Sequence, residues 1–162
     1  MNLAKLFETQ KLLDKRIVDE HNLQGQDLLP KKILSLQVEL GELVNELPEI
    51  FKFWSRKKNN YEKALEEYCD CLHLILSIGN DLEINIELYT VLPFKHKTIL
   101  DQFLQTYYVI GDLEHDPSQE GLITVLQYLL GLGEMLGFTP EQIEKSYYAK
   151  NAINHQRQTD HY

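Results

Sequence analysis

The stretch at residues 33–47, I-L-S-L-Q-V-E-L-G-E-L-V-N-E-L, and the stretch at residues 64–78, A-L-E-E-Y-C-D-C-L-H-L-I-L-S-I, decide the fold. Both place apolar residues at helical spacing, which predicts two α-helices. Each carries two acidic side chains three positions apart, namely Glu39 and Glu42 in the first and Glu67 and Asp70 in the second. Residues three apart share one face of a helix, so each pair directs both carboxylates the same way. We therefore expect two packed helices whose acidic groups converge.

Asp70 is the most informative of the four acids, because apolar residues flank it on nearly every side of its helix. A helix that is apolar all round is normally buried, and a buried lone carboxylate is costly unless a cation offsets it. No lysine or arginine occurs between Leu65 and Asp81. The pattern therefore predicts a divalent metal ion held by the four acids. Ligands that are all oxygen favour magnesium, or manganese, over zinc or copper.

Two other interpretations of the acids stay open. Acid pairs at this spacing also occur on solvated faces, since 25 of the 162 residues are Asp or Glu. A di-iron carboxylate bundle would need two Glu-x-x-His motifs, and the sequence contains none. His73, three residues after Asp70, is therefore interpreted as a histidine of the core or one that supports the ligands.

The composition predicts one globular domain over residues 1–162, with 43% hydrophobic and 25% charged residues. The net charge of −9 argues against nucleic-acid binding, which draws on clustered lysine and arginine. It leaves room for a small phosphorylated ligand bound through metal ions. The N-terminus lacks the apolar run of a signal peptide, and no window approaches the ~18 apolar residues of a membrane span. With Cys69 and Cys71 interpreted as reduced core residues, we expect a cytoplasmic protein that does not bind membranes.

Periodicity, breakers and capping residues predict an all-α chain of six or seven helices. The first covers Leu3–Val18, and the second begins near Pro30 and ends or kinks at Pro48. The other predicted helices span residues 61–80, 81–93, 98–110, 117–136 and 140–155. Segment 81–93 also alternates like a strand, but no partner strand is evident.

Three local signals set boundaries in the second half of the chain. Gly111 is expected to end one helix, and Asp116 to cap the next with Pro117 at its first position. Thr139 and Gln142 have the spacing of a capping box for the last helix.

Lys150, Asn154 and Arg157 follow one another at helical spacing near the C-terminus and so line one face. A lysine, an amide and a guanidinium suit phosphate oxygens and a sugar hydroxyl. The alternative is a solvated terminal helix.

Two further candidates lie earlier in the chain. Gln10 and Asp14 form an i, i+4 polar pair on the first helix, which also fits a solvated face. Trp54, the only tryptophan, either stacks on a base or packs in the core.

The order of these motifs resembles the dimeric dUTPase family of the all-α nucleoside triphosphate pyrophosphohydrolases. The resemblance rests on the acid pairs, Gln10, Trp54, Leu76-Ser77-Ile78-Gly79-Asn80 and the tail Tyr147-x-x-Lys150-Asn151-x-x-Asn154-x-x-Arg157-Gln158. It implies a homodimer of single-domain helical protomers that uses magnesium to hydrolyse dUTP, and dUDP, to dUMP. His161 departs from the family, because it stands where a glycine is usual.

By position, the resemblance implies that Glu39, Glu42, Glu67 and Asp70 bind the metal and that Glu39 or Glu42 activates the attacking water. The implied substrate contacts are Gln10 and Trp54 for uracil, Asn80 for the deoxyribose, Asn154 for the nucleotide, and Lys150 and Arg157 for the phosphates. Two alternatives remain: a related pyrophosphohydrolase acting on dCTP or on several nucleotides, and a non-catalytic helical interaction module.

Overall fold

The computed structural model describes residues 1–160, and within them it contains helices and no strand, which confirms the predicted all-α bundle. The α-helices are α1 Leu3–Glu20, α2 Leu29–Asn45, α3 Pro48–Phe51, α4 Tyr61–Asp81, α5 Ile99–His115, α6 Gln119–Met135 and α7 Pro140–Thr159. A 3₁₀ turn covers Ile86–Leu88. The departure from the family at His161 lies outside the described residues.

Side-chain caps explain where most of the helices begin. Five N-cap side chains each accept a hydrogen bond from a backbone N–H of the first turn: Asn2, Asn60, Thr98, Ser118 and Thr139. Such caps satisfy donors that lack a partner inside the helix. The capping box predicted at the start of α7 is confirmed, with both of its hydrogen bonds formed.

Two boundary predictions were wrong. Gly111 does not end α5, which continues to His115, because Leu113 is buried in the core and one glycine costs a helix only ~1 kcal/mol. Asp116 instead follows the last turn of α5, and its N–H donates to Asp112. The N-cap of α6 is Ser118, which has an extended backbone. Its hydroxyl oxygen accepts a hydrogen bond from the N–H of Gly121.

The segment 81–93 does not form a helix of its own: Asp81 is the last residue of α4, and the rest is irregular apart from the 3₁₀ turn. The chain leaves α4 through Glu83, whose positive φ of 53° is incompatible with helix continuation. Beyond the segment, the N–H of Phe94 donates to the carbonyl of Gln127 on α6 at 3.0 Å. The alternating residues Ile84 and Ile86 pack against the core as an irregular chain, so their periodicity does not reflect a sheet.

Helix α4 lies at the centre of the bundle and packs against α1, α2, α6 and α7. The prediction that this largely apolar helix is buried is confirmed, because Tyr68, Leu72 and Ile75 are all buried. The Tyr68 hydroxyl donates to the carbonyl of Leu129 at 3.1 Å. The thiols at positions 69 and 71 are free and buried, as expected. One face of α4 remains uncovered by the core, and it carries the site described below.

Within residues 1–160, no single helix is long and apolar enough to cross a membrane. Helices α6 and α7 meet such a criterion only when taken together across a bend of 113°.

Candidate active site

A cavity of about 560 Å³ lies between α1, α2, α4 and α7. Along α4 its lining residues are at positions 67, 70, 73, 74 and 77, which share one helix face. At 1.5 Å per residue, this face is about 15 Å long. The other helices contribute Gln10 and Asp14 from α1, Glu39 and Glu42 from α2, and Lys150, Asn154 and Arg157 from α7. The structure therefore brings eight of the ten predicted site residues, all but Trp54 and Asn80, to the wall of one cavity.

Three carboxylates converge at one end of the cavity. Oxygens of Glu39, Glu67 and Asp70 all lie within 4.8 Å of one another. Glu42 lines the same cavity but is not part of this three-acid cluster. The expectation that the two helices direct their acids towards a shared space agrees with this geometry.

The acids repel one another when no cation is present. Burial, followed by the charges of its acidic neighbours, raises the pKa of Glu39 to about 7. Burial and the charge of Asp70 raise the pKa of Glu67. Burial also raises the pKa of Asp70, although Lys150 opposes that shift. A group of oxygen donors with excess negative charge fits a magnesium or manganese ion.

Asp70 has a cation partner that its surrounding sequence does not contain. Lys150 Nζ on α7 lies 2.5 Å from Asp70 Oδ2, and both side chains are largely buried, 24% and 13% exposed. The absence of lysine and arginine between positions 65 and 81 therefore did not leave this carboxylate unpaired. The ammonium neutralises one of the three clustered acids and leaves the other two.

Further along α7, Arg157 Nη1 donates to Asn154 Oδ1 at 3.3 Å, and both side chains line the cavity. The predicted stripe of a lysine, an amide and a guanidinium therefore faces the interior of the site.

The opposite end of the cavity is organised around Asp14. Its Oδ1 accepts hydrogen bonds from Gln10 Nε2 and Ser77 Oγ, each at 2.8 Å. Its Oδ2 accepts one from Asn80 Nδ2 at 3.1 Å. The side chain of Asn80 points to Asp14 and does not line the main cavity.

His73, interpreted from the sequence as a histidine of the core or one that supports the ligands, is buried and also lines the cavity, which the sequence did not predict. Its ring stacks on Tyr147 with centroids 4.1 Å apart, and its Nδ1 lies 2.7 Å from Gln10 Oε1. Burial lowers its pKa to about 4, so the ring is neutral near pH 7. Among the described residues Nε2 has no hydrogen-bond partner, although His73 is only 6% exposed and lines the cavity. Its position three residues after Asp70, on the acid-bearing side of α4, was the available signal.

Trp54 is not brought to this cavity. It lies in the loop between α3 and α4, is 70% exposed, and contacts Phe53 edge to face at 4.8 Å. The possibility that it is a core tryptophan is excluded by this exposure.

Comparison with known proteins gives a family. A family model described as dUTPase matches residues 2–162. A search among curated proteins finds no significant match.

Proposed function

The chain belongs to the all-α dUTPase family and is a dUTP diphosphatase, and from this premise we propose that it cleaves dUTP, and dUDP, to dUMP in the cavity between α1, α2, α4 and α7. The observation that carries the proposal is the convergence of three carboxylates within 4.8 Å opposite the basic stripe of α7. Such a pairing suits a substrate whose phosphates need both cations and hydrogen-bond donors.

We assign the metal site to Glu39, Glu42, Glu67 and Asp70, with magnesium as the expected ion and manganese as a substitute. When bound, a divalent ion neutralises phosphate charge and lowers the pKa of water. Within this set, either Glu39 or Glu42 takes the proton of the attacking water. Glu42 is the better candidate, because it lies beside the three-acid cluster rather than in it.

Phosphate binding is assigned to Lys150 and Arg157. An ammonium and a guanidinium at the cavity wall stabilise charge that develops on the leaving oxygens. Asn154, held by Arg157 at 3.3 Å, is assigned to the nucleotide between the phosphates and the base.

The base is assigned to the end of the cavity that holds His73. The ring is neutral, and its Nδ1 faces the carbonyl oxygen of Gln10, so Nδ1 carries the hydrogen and Nε2 presents a lone pair. The N3–H of uracil is a donor that matches this acceptor, whereas N3 of cytosine is itself an acceptor. Gln10 then serves the base through His73, because both ends of its amide already bond to protein groups.

Two predicted substrate contacts need further steps. Trp54 reaches a base only if the loop between α3 and α4 moves towards the cavity or a second copy of the chain supplies it. Asn80 acts on the deoxyribose side of the site through Asp14, to which its side chain donates.

We also propose a cytoplasmic homodimer with no nucleic-acid or membrane partner. Helix α5 supports the dimer, because Leu100, Leu104 and Tyr108 recur at i, i+4 and i+8 and are 46%, 57% and 63% exposed. An apolar stripe of this kind is typical of an interface between protein chains.

A panel of deoxynucleoside triphosphates, with separate detection of pyrophosphate and phosphate, tests the substrate assignment. We expect dUTP to yield pyrophosphate in the presence of magnesium and dCTP to be a poor substrate. Comparable rates with dCTP would favour the related pyrophosphohydrolase of broader specificity.

The metal and water assignments are tested with E39Q and E42Q. Calorimetric titration with manganese reports metal binding, and turnover of dUTP reports catalysis. The variant that binds manganese but loses turnover identifies the residue that activates water. A wild-type protein that binds neither manganese nor a non-hydrolysable dUTP analogue would instead indicate an interaction module.

A further inference from the structure

We propose that Asp14 is a positioning residue for base selectivity: it fixes the direction of the Gln10 amide and thereby determines which nitrogen of His73 carries the proton. The inference rests on the proposed base site but concerns a residue that makes no contact with the base. It is carried by a continuous set of hydrogen bonds from α1 to α4 and α7.

The first link is between Asp14 and Gln10. A carboxylate only accepts hydrogen bonds, so the group of Gln10 that lies 2.8 Å from Asp14 Oδ1 must be its NH₂. The opposite orientation would place two oxygens at that distance. Ser77 and Asn80 donate to the same carboxylate and hold it in place.

The second link is between Gln10 and His73. With its NH₂ directed to Asp14, Gln10 directs Oε1 to Tyr147 OH at 3.0 Å and to His73 Nδ1 at 2.7 Å. Gln10 is only 4% exposed, so an amide in the wrong orientation would lose buried hydrogen bonds that water cannot replace. The oxygen of Gln10 therefore requires a hydrogen on Nδ1 of His73.

The consequence appears at the cavity wall. A neutral imidazole with its hydrogen on Nδ1 offers an acceptor at Nε2. This atom is buried and has no hydrogen-bond partner among the described residues, so its contact with a base requires the side chains around it to move. The acceptor matches pyrimidines that carry N3–H and opposes cytosine, whose N3 lone pair would face it. Through Gln10 and His73, the identity of residue 14 thus determines whether the site favours a pyrimidine whose N3 is a donor or one whose N3 is an acceptor.

The substitution D14N tests whether residue 14 sets the direction of the Gln10 amide, because an asparagine can turn its own NH₂ towards Gln10. Gln10 then presents its NH₂ to His73 and Tyr147. The Tyr147 hydroxyl turns its hydrogen from Gln10 to the carbonyl of Leu6, which lies 3.3 Å away, and the His73 proton moves to Nε2. We expect the ratio of kcat/KM for dUTP over dCTP to fall at least tenfold. We also expect the ¹⁵N spectrum of His73, assigned by its loss in H73Q, to change from the Nδ1–H to the Nε2–H tautomer.

The matched control is D81N. It removes one negative charge from a neighbouring surface depression that Asp14 also lines, where Asp81 pairs with Lys32 at 2.6 Å, and it does not touch Gln10. The control should retain the Nδ1–H tautomer and the substrate ratio.

Two results would overturn the proposal: a wild-type protein whose His73 is the Nε2–H tautomer, or a folded D14N that keeps both the tautomer and the selectivity. The wild-type spectrum decides the first even if D14N fails to fold. It also needs no substrate, so a failure of dUTP hydrolysis would be recognised separately.

Discussion

Lys150 Nζ and Asp70 Oδ2 lie 2.5 Å apart, although 80 positions of sequence separate the two residues. The ammonium therefore occupies one carboxylate of the proposed metal site when no ion is present. A divalent ion that takes Asp70 Oδ2 as a ligand displaces the lysine, which then becomes available to the phosphates.

This contact predicts that K150M binds manganese more tightly than the wild type in the absence of nucleotide. A partly exposed ion pair is worth ~1 kcal/mol, which corresponds to roughly a fivefold gain in affinity. Calorimetry measures the change. The exposed Lys145 on the same helix, which does not line the cavity, provides the control K145M, for which we expect wild-type affinity. Weaker binding by K150M would contradict the displacement.

The raised pKa of Glu39 destabilises the metal-free protein progressively from pH 4.5 through 7. His73 offsets this below pH 6.5, so we expect a net loss of stability between pH 6.5 and about 7.5. The pKa of Glu39 is about 7 in the folded state against an ordinary 4.5, so the folded state holds the proton more tightly. The raised pKa does not reduce the free energy of unfolding well below pH 4.5, and the reduction is complete well above pH 7. The raised pKa of Glu67 acts in the same direction. Urea unfolding in EDTA should show a midpoint that falls across this range.

His73 sets the lower bound of that pH window. Its folded pKa is about 4 against an ordinary 6.5, so protonation favours the unfolded state and stability falls as the pH drops below 6.5. E39Q should therefore remove the loss of stability above pH 6.5 and leave the acid-side loss due to His73 unopposed, whereas H73Q should remove that acid-side loss and leave a decrease that begins near pH 4.5. Added magnesium should restore the midpoint at pH 8. An E39Q profile as steep as that of the wild type above pH 6.5 would disprove the assignment.

Two helix glycines should respond in opposite directions to alanine. A Cβ at Gly131 would lie 1.8 Å from the carbonyl oxygen of Phe94, an atom that also accepts a hydrogen bond from Gln102. We expect G131A to lower the free energy of unfolding by about 1–3 kcal/mol. At Gly111 no other described atom lies within 4 Å of the added Cβ, so G111A should raise it by up to ~1 kcal/mol. Urea denaturation of both variants measures the contrast.

The apolar stripe on α5 predicts that L104E dissociates the proposed homodimer. Leu104 is 57% exposed in the single chain, and a buried carboxylate without a partner opposes association. Sedimentation velocity measures the oligomeric state. The variant Q105E adds the same charge at the next exposed position of the helix and should remain dimeric. Equal dissociation by both variants would place the interface elsewhere.

The features that the sequence predicted well depend on short-range geometry. The acidic pairs share a helix face because helical periodicity acts over three residues, and the capping box at Thr139 involves only Gln142. Lys150 could not be matched to Asp70 in this way, because the packing of α7 against α4 brings them together.

The missed features depend on several helices at once. The hydrogen position on His73 follows from Gln10, which follows from Asp14, and neither residue lies on α4. Similarly, the irregular path through segment 81–93 leads to a hydrogen bond between Phe94 and Gln127 on a helix about thirty positions later. Local periodicity contains no information about such partners.

Helix α7 carries Tyr147, which supports the ring of His73, and Lys150, which faces the acids one turn later. Fluctuations that detach this helix would therefore weaken the proposed contacts to the base and to the phosphates of a nucleotide at the same time. Product escape and loss of substrate discrimination would then share one rate, and hydrogen exchange along α7 would report both.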